Sequence, residues 1–205
     1  MSDAVTWALV ISALGVVMVR RRSTAIALVA LQSLLLGVQA LTDAAGESTA
    51  LLVGGAVLLA KAIVLPVLLA VVVTRTREPQ RIASEGHPLA RLTLALAVAL
   101  AIVTLVPRFG LTDASAEHAA VGLVALGIAT AVVRRPAIFQ ALGFLVAENG
   151  LYLAALSAPG GLPAFIELGL VFDLVVIVSV AGIFSTKIYE ELGTGDTSLL
   201  GGLRD

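Results

Sequence analysis

No cysteine occurs anywhere in the chain, and there are only two histidines, His87 and His118. Without thiolates the chain can ligate neither an iron–sulfur cluster nor a thiolate-held nickel or zinc ion. The two histidines lie far apart in sequence, one in a linker and one at a helix start, which argues against a metal or haem site. Charged residues make up 13% of the chain, about half the share of an ordinary soluble domain. No long basic run is present, which argues against nucleic acid as a partner. Apolar residues take up the difference: 59% of the 205 residues are hydrophobic and the mean hydropathy is +1.06. That is the composition of an integral membrane protein.

A bilayer core of roughly 30 Å needs about 17–25 apolar residues per helix. Seven stretches qualify, some only with tilt or interfacial ends: Ala4 to Val19, Thr24 to Leu41, Thr49 to Val73, Leu89 to Val106, His118 to Val133, Ala137 to Leu156, and Leu162 to Ser185. The fold class expected is therefore an all-α integral membrane protein, a bundle of about seven transmembrane helices in one membrane domain, 1–205. Within it, 1–74 holds three helices, 75–88 a cytoplasmic link, 89–107 the fourth helix, 118–186 a three-helix part, and 187–205 a cytoplasmic tail. The first stretch has no basic region before it and no evident cleavage site after it, and reads as a retained helix.

Basic residues orient the bundle. Arg20 to Arg22, then Arg75, Arg77, Arg81 and Arg91, then Arg134, Arg135, Lys187 and Arg204 all fall on one side. That makes eleven of the thirteen, with Lys61 inside and only Arg108 opposite. The crowded side is cytoplasmic by the positive-inside rule. The N-terminus is then outside and the C-terminus inside, in a multi-pass protein of a prokaryotic inner membrane.

Against this background, three ionisable residues at mid-stretch stand out: Lys61, Glu148 and Asp173. Each costs roughly 2.5–3.5 kcal/mol at the centre of a membrane helix, and such residues persist where they pair, face a wet cavity, or handle ions and protons. Lys61 is too far from either helix end to snorkel. Pro66, one turn on, cannot donate to the Ala62 carbonyl and so frees it beside the amine. Glu148 is followed by Asn149, with Tyr152 one turn on along the same face; a desolvated carboxyl of this kind suits a proton relay. Asp173 lies one turn after Gly169, which lets another helix approach. Glu167, six residues earlier, sits about 120° away around the helix, nearer the outer surface. Gln32 and Gln39 share a face and are expected to hydrogen-bond between helices. His118, beside Glu117, is expected at the interface, and His87 in a loop.

The run from Gly143 to Leu153, with its glutamate–asparagine–glycine core, followed by Phe165 to Asp173, resembles hydrogenase-4 component E, a membrane subunit of hydrogenase-4 and formate-hydrogenlyase-type complexes. The Lys61 stretch with its Ile63-Val64-Leu65-Pro66 is similar to the third helix of that family, and the likeness spans most of the chain. The last three stretches also resemble the small three-helix subunit of complex I and its counterpart in multisubunit sodium/proton antiporters. In those subunits glutamates of the second and third helices belong to a polar axis across the membrane arm. Glu148 matches the first by position, while either Glu167 or Asp173 can take the place of the second.

The resemblance implies partners: antiporter-like subunits, a membrane anchor of the quinol-site type, and a peripheral nickel–iron hydrogenase or related redox arm. The expectation is a non-redox membrane-arm subunit, binding no cofactor and catalysing nothing alone, whose Lys61, Glu148 and an acid of the seventh helix help move protons or ions. Two other readings compete with it: a subunit of a cation/proton antiporter without a redox arm, and a structural scaffold with statically paired charges.

Overall fold

The computed structural model describes residues 3–43, 49–75, 87–105 and 113–158, together with Val178, Gly182, Thr186 and Glu190. Six α-helices account for nearly all of it: α1 (Asp3–Met18), α2 (Arg22–Asp43), α3 (Thr49–Arg75), α4 (Pro88–Leu105), α5 (Ala114–Val133) and α6 (Ala137–Ser157). Of these, α2, α4, α5 and α6 are long and apolar enough to cross a membrane, while α1 and the Gly55–Val71 part of α3 are apolar but shorter. The seventh stretch and both of its acids, Glu167 and Asp173, lie outside the described residues, apart from Val178 and Gly182, which are helical.

Helix boundaries follow local chemistry. Pro88 opens α4, where its missing N–H is no loss and its fixed φ suits the first turn. The α5 helix starts at Ala114, one turn before the His118 start expected from hydropathy. The Asp113 carboxylate caps it, accepting from the N–H groups of Ser115 and Ala116; hydropathy cannot see a polar cap, whereas side-chain oxygen at this position satisfies orphan donors. The Ser115 hydroxyl, then the two N–H groups, hold the Asp113 carboxyl below the usual carboxylate range. Its contribution to stability is therefore present above the ordinary carboxylate pKa and lost as pH falls through the lowered one. His118 is exposed on the second turn, with ring Nδ1 2.6 Å from the Ala114 carbonyl. The His87 ring accepts from the Leu89 N–H at 3.3 Å, so this loop residue also serves as the cap of α4.

The described helices run up and down. Ser115 Oγ donates to Asp3 Oδ1 at 3.3 Å, which puts the starts of α1 and α5 at one end. At the other end, Arg91 of α4 and Arg134 of the α5–α6 turn both reach the last carbonyls of α1. α1 is wrapped by α2, α4, α5 and α6, while α3 packs along α2. Large apolar side chains turn outward, Ile63 of α3 being 68% exposed and Leu100 of α4 65%, a surface that matches hydrocarbon.

Between lipid-facing helices, burial of apolar area gives little drive, so close packing and polar contacts decide which faces meet. The α5–α6 pair depends on small residues. A Cβ added at Gly143 would lie 2.6 Å from the Gly127 carbonyl oxygen and 2.7 Å from the Ala131 nitrogen. One added at Gly150 would lie 2.7 Å from the Ala120 oxygen. The two backbones therefore touch along Gly127, Gly143 and Gly150. That hairpin places Glu148 and Asn149 on a rigid face.

The structure adds to the sequence reading of the arginines, which used them only to assign a side. Arg22, Arg91 and Arg134 are buried, Arg134 completely. Its Nη1 donates to the carbonyls of Val17 at 2.8 Å and Val19 at 2.9 Å, and its guanidinium stacks 3.5 Å from the Phe139 ring centroid. Arg91 Nη2 donates to the Met18 carbonyl at 3.2 Å. The last carbonyls of a helix have no partners of their own. Guanidinium groups from two other elements fill that need. Arg20, Arg21 and Arg135 remain exposed.

Candidate functional site

Lys61 and Glu148 are brought together. Lys61 lies near the middle of α3 and Glu148 near the middle of α6, and Lys61 Nζ is 2.8 Å from Glu148 Oε2, with the two side chains 0% and 9% exposed. The Tyr152 ring, one turn beyond Glu148, has its centroid 5.1 Å from the same ammonium, close enough for cation–π attraction. α3 does not pack closely on α6, so the four-carbon stem of Lys61 bridges the gap past α2.

The pair is one part of a polar layer at the waist of the bundle. Asn149, beside Glu148, accepts from Ser33 Oγ at 3.2 Å through Oδ1. Through Nδ2 it donates to Gln32 Oε1, also at 3.2 Å. Gln32 in turn donates from Nε2 to the Leu9 carbonyl of α1 at 3.0 Å, and Ser12 Oγ donates to the same carbonyl at 2.8 Å. Four helices thus contribute to one level: Leu9 and Ser12 of α1, Gln32 and Ser33 of α2, Lys61 of α3, and Glu148, Asn149 and Tyr152 of α6. A hydrogen-bonded network of this kind orients its members in a low dielectric. Asn149 is its hub, and its backbone neighbour is the carboxylate.

A cavity of about 10 Å³ adjoins Lys61, bounded by Ser33, Leu65, Pro66, Leu142 and Leu145. That is room for about one water molecule. No group of three or more His, Asp or Glu side chains arranged for a metal ion occurs among the described residues.

Several expectations from sequence can now be compared with the geometry. Gln32 bonds between helices as expected. Gln39 does not: its amide donates to Asp43 Oδ1 of its own helix at 2.8 Å. It lies in the last turns of α2, where the exposed Asp43 one turn on takes its amide. Ser33 was missed altogether, since a serine in an apolar stretch gives no signal until a partner such as Asn149 is known.

No family model matches the chain, and no solved structure matches it. The chain is similar to the uncharacterized protein Rv0085 of Mycobacterium tuberculosis, with 36% identity over 164 residues, covering 75% of this chain and 72% of that protein. At that identity and coverage, the chain belongs to the same family as the mycobacterial protein.

Proposed function

We propose that this chain is a non-redox membrane-arm subunit of a respiratory hydrogenase-like complex related to complex I, and that the Lys61–Glu148 pair takes part in moving protons across the membrane. The observation that carries the reading is the pair itself, 2.8 Å apart and almost fully buried at mid-depth of the bundle. A buried ion pair is a poor source of stability, because well-packed apolar residues of similar volume serve as well or better. Its presence at the waist of a chain otherwise suited to lipid points to charge movement.

The proton chemistry uses what surrounds the pair. A proton arriving on the Glu148 carboxylate cancels its attraction for Lys61, and the ammonium then acts on the next acid along the layer. Resemblance to the three-helix subunits assigns that next acid to the seventh helix, as Glu167 or Asp173. The partners would be antiporter-like subunits, a membrane anchor and a peripheral redox arm; this chain binds no cofactor and performs no redox step.

In this reading the chain crosses a prokaryotic inner membrane seven times, with its N-terminus outside and its arginine-bearing end cytoplasmic. A reporter fused after Asp205 is expected to read cytoplasmic and a tag before Ala4 to be reached from outside, and both termini on one side would refute the seven crossings.

The function is tested by pumping per electron in vesicles carrying the whole complex. Glu148→Gln keeps shape and hydrogen bonding but removes titration, and is expected to lower the ratio while electron transfer slows only through coupling. The double variant Lys61→Met/Glu148→Gln removes both charges and so leaves neither unpaired. It is expected to assemble and to show the same deficit. A wild-type ratio in the assembled double variant would make the pair a static brace and this chain a scaffold.

A further inference from the structure

Between the arginine-bearing ends of α2 and α3 runs a groove of about 340 Å³, near the lower bound of about 300 Å³ typical of small-molecule sites. Ser23 and Ala27 of α2 and Val67, Ala70 and Val73 of α3 line it, and Ile26 and Pro66 close its inner end. It follows α3 from Pro66 to Val73, roughly 10 Å at 1.5 Å per residue, about a third of a hydrocarbon core. Apart from the Ser23 hydroxyl, every lining side chain is aliphatic. Val67 is 58% exposed, so the groove opens outward from the bundle rather than into it. An apolar slot that opens into hydrocarbon suits an alkyl chain.

The chemistry changes at the outer end of the groove. Ser23 stands in the first turn of α2, and the exposed Arg20 and Arg21 come just before it. A hydroxyl donor on the wall of an apolar slot, with the exposed Arg21 two residues before it in the chain, is complementary to an amphiphile with an anionic head. Basic pockets between membrane helices on the positively charged side hold anionic headgroups in this way.

We propose that the α2–α3 groove binds one acyl chain of an anionic membrane phospholipid, whose phosphate is held by Arg21 and Ser23. Ile26 and Pro66, at the end of the slot, also bound the cavity beside Lys61. An acyl chain in the groove therefore stands one side chain away from that cavity. The site stands independently of the proton-relay reading.

The test is native mass spectrometry of the full chain released from its own membrane in mild detergent, followed by add-back of phosphatidylglycerol or phosphatidylcholine. The wild type is expected to retain one phosphatidylglycerol-class lipid and to prefer it on add-back. Ala70→Phe, which fills the slot, is expected to lose the retained lipid. Arg21→Gln, at an exposed position that leaves the fold alone, is expected to keep lipid binding but lose about fivefold in anionic preference, the equivalent of about 1 kcal/mol per arginine at a membrane surface. An isoprenoid quinone as the retained species, no retained species, or an unchanged headgroup preference in Arg21→Gln would each overturn the proposal.

Discussion

Lys61→Met and Glu148→Gln are each expected to destabilise the bundle by about 3–5 kcal/mol, and the double variant by much less than their sum. The cause is the asymmetry of a buried pair. Taking one partner away removes the opposite charge 2.8 Å from the other in a low dielectric, or forces the other to give up its ionisation at comparable cost. Removing both leaves no uncompensated charge at the waist. Methionine keeps the unbranched length of lysine, and glutamine keeps the outline of glutamate, so neither change adds a cavity. Thermal unfolding of the purified chain or complex across the four-member cycle gives the coupling energy, expected to exceed the usual range of about 0.5–3 kcal/mol for neighbouring residues. Additive losses would mean that the two groups do not share an interaction, and the geometry at the waist would be wrong.

The second large effect belongs to the α5–α6 seam. Gly143→Ala adds a single methyl, and that methyl would lie 2.6 Å from a carbonyl oxygen and 2.7 Å from a backbone nitrogen. Backbone cannot rotate away as a side chain can, so the helices must part. The expected cost is about 3 kcal/mol, the upper end for overpacking. Because α6 carries Glu148 and Asn149, parting the seam also pulls the carboxylate from Lys61. Gly122, on the same α5 helix, has nothing within 4 Å of an added Cβ. Gly122→Ala is expected to be neutral or to stabilise by about 0.5–1 kcal/mol, the ordinary helix preference of alanine over glycine. Similar losses at both positions, by thermal unfolding in detergent, would show that the seam is not as close as described.

Helices were legible from hydropathy because a long apolar run in lipid must satisfy its own backbone. Boundaries for α1, α2, α3, α4 and α6 lie within about two residues of the sequence reading, inside the usual scatter of helix ends. The α5 start differed because its signal is a single cap, Asp113, inside a polar link. Faces were much harder to read. In a soluble bundle a polar stripe marks the outside of each helix, but here apolar residues surround every helix. The sequence therefore shows that Gly127, Gly143 and Gly150 are small without showing that they meet.

The candidate site divides along the same line. That Lys61 and Glu148 needed partners followed from charge at mid-helix alone. That each is the partner of the other depended on packing, because α3 reaches α6 only by the length of a lysine stem. Asn149 and Gln32 were visible as polar residues, but their bond to each other, with Ser33 on Asn149 and the Leu9 carbonyl on Gln32, was not.

By itself the sequence determined an all-helical chain with helices apolar enough to cross a membrane, no thiolate chemistry, and charges too costly to leave alone. The tertiary structure decided which charge answers which, made Arg91 and Arg134 caps for the last carbonyls of α1, and gathered side chains of four helices into one polar layer. The physical reason is that hydropathy is a property of single residues and sets depth in the bilayer, whereas pairing depends on which helix faces touch. Those faces are chosen by close backbone contact and hydrogen bonds between residues far apart in the chain.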